Sequence, residues 1–218
     1  MASRTIEFTT DEYYHIYNRG TDKRNIVQDE DDANRFLEGL RLFNTVDPLG
    51  GFYEHSLARE VNDIKNHQPL VEVVTHCLNP NHFHLLLKQC IDNGISEYLQ
   101  RVGTACAKHF NHKYKRTGAL FEGKFKAKHI ADNDYLLHTS AYINLNDRVH
   151  RISGQQKLLV RNSWPEYTEG KNGICKKELI LEQFKNGKEY ERFALESLEL
   201  MLESKRDQAE LKAIEFES

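Results

Sequence analysis

A three-residue turn between two strand-like runs constrains this chain more than any other stretch. Leu70–Leu78 is rich in valine, and His82–Gln89 is rich in leucine. The intervening Asn79-Pro80-Asn81 has the composition of a tight turn. Because the link is so short, the two runs are predicted to pair as an antiparallel hairpin.

The second strand of this hairpin carries two histidines one residue apart. Residues i and i+2 of a strand face the same way, so His82 and His84 are expected to project side by side. Phe83, Leu85 and Leu87 then point to the other face, into a core. Two converging imidazoles suit half of a metal site. The alternative is a pair of ordinary sheet histidines.

The elements around the hairpin follow the order β-α-β-β-α-β and then a closing helix. Aromatic and β-branched composition, acidic caps and apolar spacing predict the other elements, namely a strand at Tyr13–Asn18, a helix from Asp29–Asp32 to Val46, a short helix near Leu57–Ile64, a helix from Ser96 to about Lys115, a strand at Phe121–Ile130 and a helix from Asp132 to Val149. This order predicts an α+β, ferredoxin-like fold, an antiparallel sheet with helices on one side.

The chain is predicted to divide into a main domain, residues 1–152, and a linker with a helical C-terminal extension, residues 153–218. Two helices are expected in the extension, at about Lys176–Lys185 and Glu189–Glu210. No apolar run approaches the roughly 18 residues of a membrane span. No secretory signal is evident, and the scattered cysteines are typical of reduced core thiols, so a cytoplasmic location is expected.

Charge is unevenly distributed along the chain. The formal net charge is −3, but residues 101–161 carry 12 basic and 4 acidic groups, and both flanking segments are acidic. A local basic surface is the electrostatic footprint of a phosphate-rich partner. A solvated helix face is the alternative for such a run.

The last predicted core helix offers side chains that complement the histidine pair. His138, Tyr142 and Asn146 follow one another at a spacing of four, which places them on one helix face. An amide oxygen such as that of Asn146 can complete the coordination of a hard divalent cation. A tyrosine such as Tyr142 can act as a covalent nucleophile. Tyr135 is the main rival nucleophile on this helix.

Four segments together resemble one known family. They are Tyr14–Gly20, Cys77–Leu87, Gly118–Lys126 and Tyr142–Asn146. In order and spacing they are similar to the single-tyrosine HUH transposases, and more closely to the REP-associated tyrosine transposases, distant relatives of the IS200/IS605 transposases. The resemblance covers nearly the whole chain.

The resemblance implies metal-dependent cleavage and rejoining of single-stranded DNA at a hairpin. It implies that Tyr142 is the nucleophile and forms a 5′-phosphotyrosine intermediate. It also implies that His82, His84 and Asn146 hold a divalent metal, Mg²⁺ or Mn²⁺. Monomeric and homodimeric forms both occur among such proteins, so the oligomeric state stays open.

A single-stranded partner also suits the basic block, where cationic and aromatic residues alternate. The residues predicted to contact DNA are Arg19, Arg116, Phe121, Lys124, Lys126 and Lys128. Two other functions stay open from the sequence. One is a replication-initiator nickase with the same chemistry, and the other is a non-catalytic single-stranded nucleic-acid-binding module.

Three positions depart from the family's usual pattern. Asn79 stands where methionine is usual, Glu122 stands where glutamine is common, and Asp147 replaces the proline after Asn146. None is expected to touch the nucleophile or the metal ligands. Glu122 places a negative charge in a segment expected to face DNA.

Overall fold

The computed structural model describes residues 6–47 and 68–217, with side chains described as far as residue 203. The chain forms a five-stranded antiparallel sheet with the strand order β4-β1-β3-β2-β5. The strands are β1 (Tyr13–Arg19), β2 (Val71–Asn79), β3 (His82–Gln89), β4 (Lys126–His129) and β5 (Arg161–Asn162). The first four strands have the order of the ferredoxin-like arrangement, so the predicted α+β class is confirmed.

Helices connect and flank these strands. They are α1 (Glu30–Leu42), α2 (Gly94–Lys113), α3 (Asn133–Asn144), α4 (Asn146–Val149), α5 (Trp164–Thr168), α6 (Glu178–Leu181) and α7 (Gly187–Glu217), with 3₁₀ turns at Thr21–Lys23 and Gly154–Leu159. Acidic N-caps begin α1 and α3. Asp29 accepts from the backbone N–H of Asp32, and Asp132 accepts from that of Tyr135, at 3.0 and 2.8 Å.

Helices cover both faces of the sheet, which corrects the expectation of helices on one side. Phe36 of α1 and Tyr98 of α2 belong to one buried cluster, together with Leu85 of β3. Ile143 of α3 belongs to a second cluster, together with Leu86. Consecutive leucines on β3 therefore enter different cores, and a strand that is apolar on both faces needs cover on both.

The predicted alternation along β3 is confirmed. Phe83, Leu85 and Leu87 all lie in the cluster beneath α1 and α2. His82 and His84, which alternate with them, lie on the side that α3 covers and contact side chains of that helix and of α4. The sheet therefore presents the histidine pair to the closing helix.

Several element boundaries differ from the sequence prediction. Helix α2 begins at Gly94 and not after Ser96, with Asn93 in the left-handed region at φ 61°. Strand β4 begins only at Lys126, because Gly123 has a φ of 67° and interrupts extended backbone. Leu145 has φ −108° and ψ 15° and separates α3 from α4, so the predicted helix to Val149 is two helices.

The C-terminal extension packs on the sheet. Strand β5 pairs antiparallel with β2, and Tyr190 of α7 lies fully buried in the cluster beneath α3. Helices α6 and α7 differ from the predicted bounds at both ends. The predicted helix near 57–64 lies outside the described residues. Within residues 6–47 and 68–217, no helix is both long and apolar enough to cross a bilayer.

Candidate active site

The two histidines of β3 lie at the centre of a cluster of aromatic rings. Register places Tyr17 of β1 opposite His84, and their rings stack with centroids 5.6 Å apart. The rings of His82 and His84 are nearly perpendicular, with centroids 5.3 Å apart. Tyr142 of α3 meets His84 edge-on at 5.5 Å. The structure therefore brings the proposed nucleophile to the histidine pair.

Tyr142 is held in a partly buried position. Burial raises the pKa of its hydroxyl above the ordinary value, and the Asn146 side chain opposes that rise. The phenol is therefore protonated at neutral pH in the resting protein. Its attack on a phosphate would require a neighbouring positive charge to stabilise the developing phenolate.

The side chains of Asn146, His82 and Asn79 contact one another through polar atoms. The Asn146 Oδ1 atom lies 3.0 Å from His82 Nε2, and the Asn79 side-chain amide donates to Asn146 Oδ1 at 2.7 Å. Asn79 Nδ2 also lies 2.9 Å from His82 Nε2. Asn81 Oδ1 is 2.6 Å from the other ring nitrogen, His82 Nδ1. With the proton on Nδ1, which donates to Asn81, the Nε2 lone pair faces the Asn79 amide donor, and a cation ligated by Nε2 would replace that contact.

This geometry fits a hard divalent cation. Ligands at adjacent octahedral positions, each about 2.1 Å from Mg²⁺, lie roughly 3 Å apart, which is the separation of Asn146 Oδ1 and His82 Nε2. Asn146 is fully buried, and its Nδ2 has no hydrogen-bond partner among the described residues. The buried Asn146 side chain already places its oxygen beside His82 Nε2, so a cation there would be ligated through that oxygen.

Asn79 contacts both of these atoms, so the expectation that it touches no ligand was wrong. We expect Asn79→Leu to weaken Mn²⁺ binding by about 10- to 100-fold, because the Asn146 oxygen loses the donor that orients it. Asn79→Asp is the matched control, since its added carboxylate should strengthen binding. Isothermal titration with Mn²⁺ measures both. Equal affinities in the two variants and the parent would contradict this role.

His15 is a site residue that sequence reasoning missed. Its Nε2 lies 2.8 Å from His84 Nδ1, and the two rings stack with centroids 5.1 Å apart. Burial, with help from Lys128, lowers the pKa of His15 to about 4, so it is neutral at pH 7. A proton on His84 Nδ1, donated to His15, would leave His84 Nε2 for a metal. The sequence did contain a signal for His15: it lies two residues from Tyr17 on the same strand, so the two side chains share one face.

Only some of the predicted DNA contacts line the active-site cleft, a cavity of about 510 Å³ whose lining includes Tyr17, His82, His84 and Tyr142. Arg19 and Lys126 line it too. Lys128 lines a second depression, which Tyr142 also lines.

The remaining predicted contacts lie elsewhere. Lys124 and Phe121 line a separate groove, where Phe121 packs edge-on against Phe83 at 5.8 Å. Arg116 donates to Asn111 at 3.1 Å and covers the ring of Phe110. These three residues are therefore not gathered around Tyr142, and any contact they make with DNA lies outside the cleft.

Glu122 and Arg19 form a bidentate ion pair at the rim of the cleft. Arg19 Nε and Nη2 donate to the two carboxylate oxygens, the second at 3.0 Å.

We expect Glu122→Gln to release Arg19 and so to add one phosphate contact to single-stranded DNA. The slope of log affinity against log salt concentration should then steepen by about 0.7. Fluorescence anisotropy across a salt series measures it.

Glu12→Gln is the matched control for this prediction. It changes net charge equally, but Glu12 pairs with His129 on β4 and does not line the active-site cleft. An identical slope in both variants would contradict a specific effect of releasing Arg19.

Comparison with known proteins places the chain in a family. Residues 9–146 match the family model described as "Transposase IS200 like". The comparison with curated proteins returns no match. Among solved structures, the chain is similar to a REP-associated tyrosine transposase bound to a REP hairpin, at a TM-score of 0.46 and 11% identity over 69% of this chain and 74% of that one.

Proposed function

The chain belongs to the IS200-like transposase family, and from this we propose that it cleaves and rejoins single-stranded DNA with Tyr142 as the nucleophile. The observation that carries the proposal is the convergence of three elements. Tyr142 of α3 lies against His84 of β3, and Asn146 of α4 lies 3.0 Å from His82. The proposed nucleophile and two of the proposed cation ligands line one cleft, and Asn146 adjoins it through His82.

In the proposed reaction, the Tyr142 oxygen attacks a backbone phosphorus. The bond between phosphorus and the 3′ oxygen breaks, the 3′ oxygen takes up a proton and leaves as a hydroxyl, and the phenol proton passes to solvent. The 5′ phosphate stays on Tyr142 as a phosphodiester. Because that link conserves the bond energy, a 3′-hydroxyl can reverse the step without ATP.

We propose that His82, His84 and Asn146 hold Mg²⁺ or Mn²⁺. Two imidazoles and one amide are uncharged ligands, so a bound cation would keep its charge and polarise the oxygens of the attacked phosphate. The contacts of these ligands support the assignment. Asn81 orients the His82 ring, Asn79 donates to the Asn146 oxygen, and His15 lies against His84. Imidazole favours Mn²⁺, whereas a phosphate substrate favours Mg²⁺.

The substrate we propose is a single strand at the foot of a hairpin, as the motif resemblance implies. Lys126 and Arg19 on the rim would contact phosphates, and Tyr17 in the cleft offers an aromatic face. Lys128 lines the second depression together with Tyr142, and it would offer a further cationic contact to a bound strand.

The test is covalent capture of DNA. The protein is incubated with a hairpin carrying a single-stranded flank, labelled 3′ of the expected cleavage point, in Mg²⁺ or Mn²⁺. We expect a denaturation-resistant protein–DNA adduct and a free 3′-hydroxyl product. Binding without any adduct would favour the non-catalytic module. Equal adduct formation on a fully duplex substrate would contradict the single-strand requirement.

A further inference from the structure

A second cluster of metal-ligating side chains lies outside the active-site cleft. His76 of β2 and Glu166 of α5 are buried, at 4% and 7% exposure, and Cys175 lies partly buried between α5 and α6. One ligand atom from each lies within 4.8 Å of the others. The cluster thus joins strand β2 to two parts of the C-terminal extension.

Packing around this cluster is tight but leaves polar groups incompletely satisfied. His76 Nε2 lies 3.5 Å from Glu166 Oε1, while His76 Nδ1 is buried without a hydrogen-bond partner among the described residues. The Cys175 backbone N–H donates to Glu166 Oε2 at 3.1 Å. A Cβ on Gly173 would lie 2.0 Å from the Glu166 carboxyl carbon, so a larger residue there would displace this carboxylate.

We propose that His76, Glu166 and Cys175 form a second metal site, which binds Zn²⁺ through a nitrogen, an oxygen and a thiolate sulfur. Zinc accepts this mixed set, whereas Mg²⁺ and Ca²⁺ prefer oxygen ligands. Nitrogen and oxygen ligands of tetrahedral zinc, about 2.0–2.2 Å from the ion, lie roughly 3.3–3.6 Å apart. The observed 3.5 Å between His76 and Glu166 matches that separation.

Zinc at this position would fasten the extension to the sheet. His76 belongs to β2, next to β5, whereas Glu166 and Cys175 follow β5 in the chain. Coordination requires the thiolate, so the Cys175 thiol proton is released to solvent when zinc binds. Because the metal binds the folded chain, it should also raise the melting temperature. The site does not depend on the chemistry proposed for Tyr142.

The test uses the full chain carrying His82→Ala, which removes one imidazole of the active-site cleft. We expect about one zinc per chain by elemental analysis. Replacement by Co²⁺ should give a sulfur-to-cobalt charge-transfer band, which only a cysteine ligand produces. Adding Cys175→Ser should abolish the band and the zinc, whereas the matched control Cys106→Ser should keep both.

Glu166→Gln provides a second variant if Cys175→Ser folds poorly. It keeps the side-chain shape but removes an anionic ligand, so zinc affinity should fall by more than about tenfold. Circular dichroism without metal verifies the fold of each variant. A parent protein without the cobalt band, or a band that persists in Cys175→Ser, would overturn the proposal. Zinc that binds without the band would be adventitious and would overturn it equally.

Discussion

Replacing Tyr142 with phenylalanine is expected to lower the rate of single-strand cleavage by at least about 10⁴-fold and to abolish the covalent adduct. The substitution removes only the attacking oxygen. The ring contact with His84 stays available to phenylalanine, so the fold and DNA affinity should change little. Single-turnover cleavage of a labelled hairpin substrate measures the rate, and anisotropy measures binding.

Two other tyrosines serve as controls for this prediction. Tyr17 lines the same cleft, and Tyr135 lies on the same helix and lines the second depression beside Tyr142. Phenylalanine at either position should leave adduct formation within about tenfold of the parent, since neither hydroxyl is the proposed nucleophile. An adduct that survives Tyr142→Phe and disappears in Tyr135→Phe would reassign the nucleophile.

Removing a proposed metal ligand is expected to have the second largest effect. His82→Ala should reduce cleavage by about 10³-fold at a fixed Mg²⁺ concentration, because polarisation of the attacked phosphate by a metal is worth several kcal/mol. His82 Nε2 also lies 3.0 Å from Asn146 Oδ1, so the substitution leaves the Asn146 oxygen without its neighbouring ligand atom. Cleavage rates across a Mg²⁺ and a Mn²⁺ series measure the loss.

Asn146 allows a matched pair of substitutions at the same point. Asn146→Leu removes the oxygen and should lose cleavage to a similar extent as His82→Ala. Asn146→Asp keeps an oxygen there and should bind metal more tightly, with cleavage retained above that of Asn146→Leu. If His82→Ala and Asn146→Leu both cleave at the parental rate, metal-assisted chemistry at this site is contradicted.

The sheet and its histidine face were predictable because they depend on local patterns. The period-two alternation from His82 to Leu87 determined which side chains enter the core, and short apolar runs around an Asn-Pro-Asn turn indicated a hairpin. Acidic residues at Asp29 and Asp132 marked the starts of α1 and α3 through their capping bonds. Periodicity and caps carry such information in any sequence.

The details of the site depend on contacts between distant residues, which no local pattern records. Asn79 meets Asn146 across 67 residues, and His15 meets His84 across 69. The break at Leu145 also escaped prediction, because the apolar stripe continues through it. That break turns Asn146 into the first residue of a new helix, where its amide reaches His82.

Mapping the covalent adduct tests the nucleophile and the reaction together. The protein is trapped with a single-stranded substrate in Mg²⁺ or Mn²⁺, digested with protease and nuclease, and sequenced by mass spectrometry. We expect the nucleotide remnant on the peptide that contains Tyr142, joined through a 5′ phosphate. A remnant on Tyr17 or Tyr135, a link through a 3′ phosphate, or cleavage without any protein-linked nucleotide would contradict the proposed function.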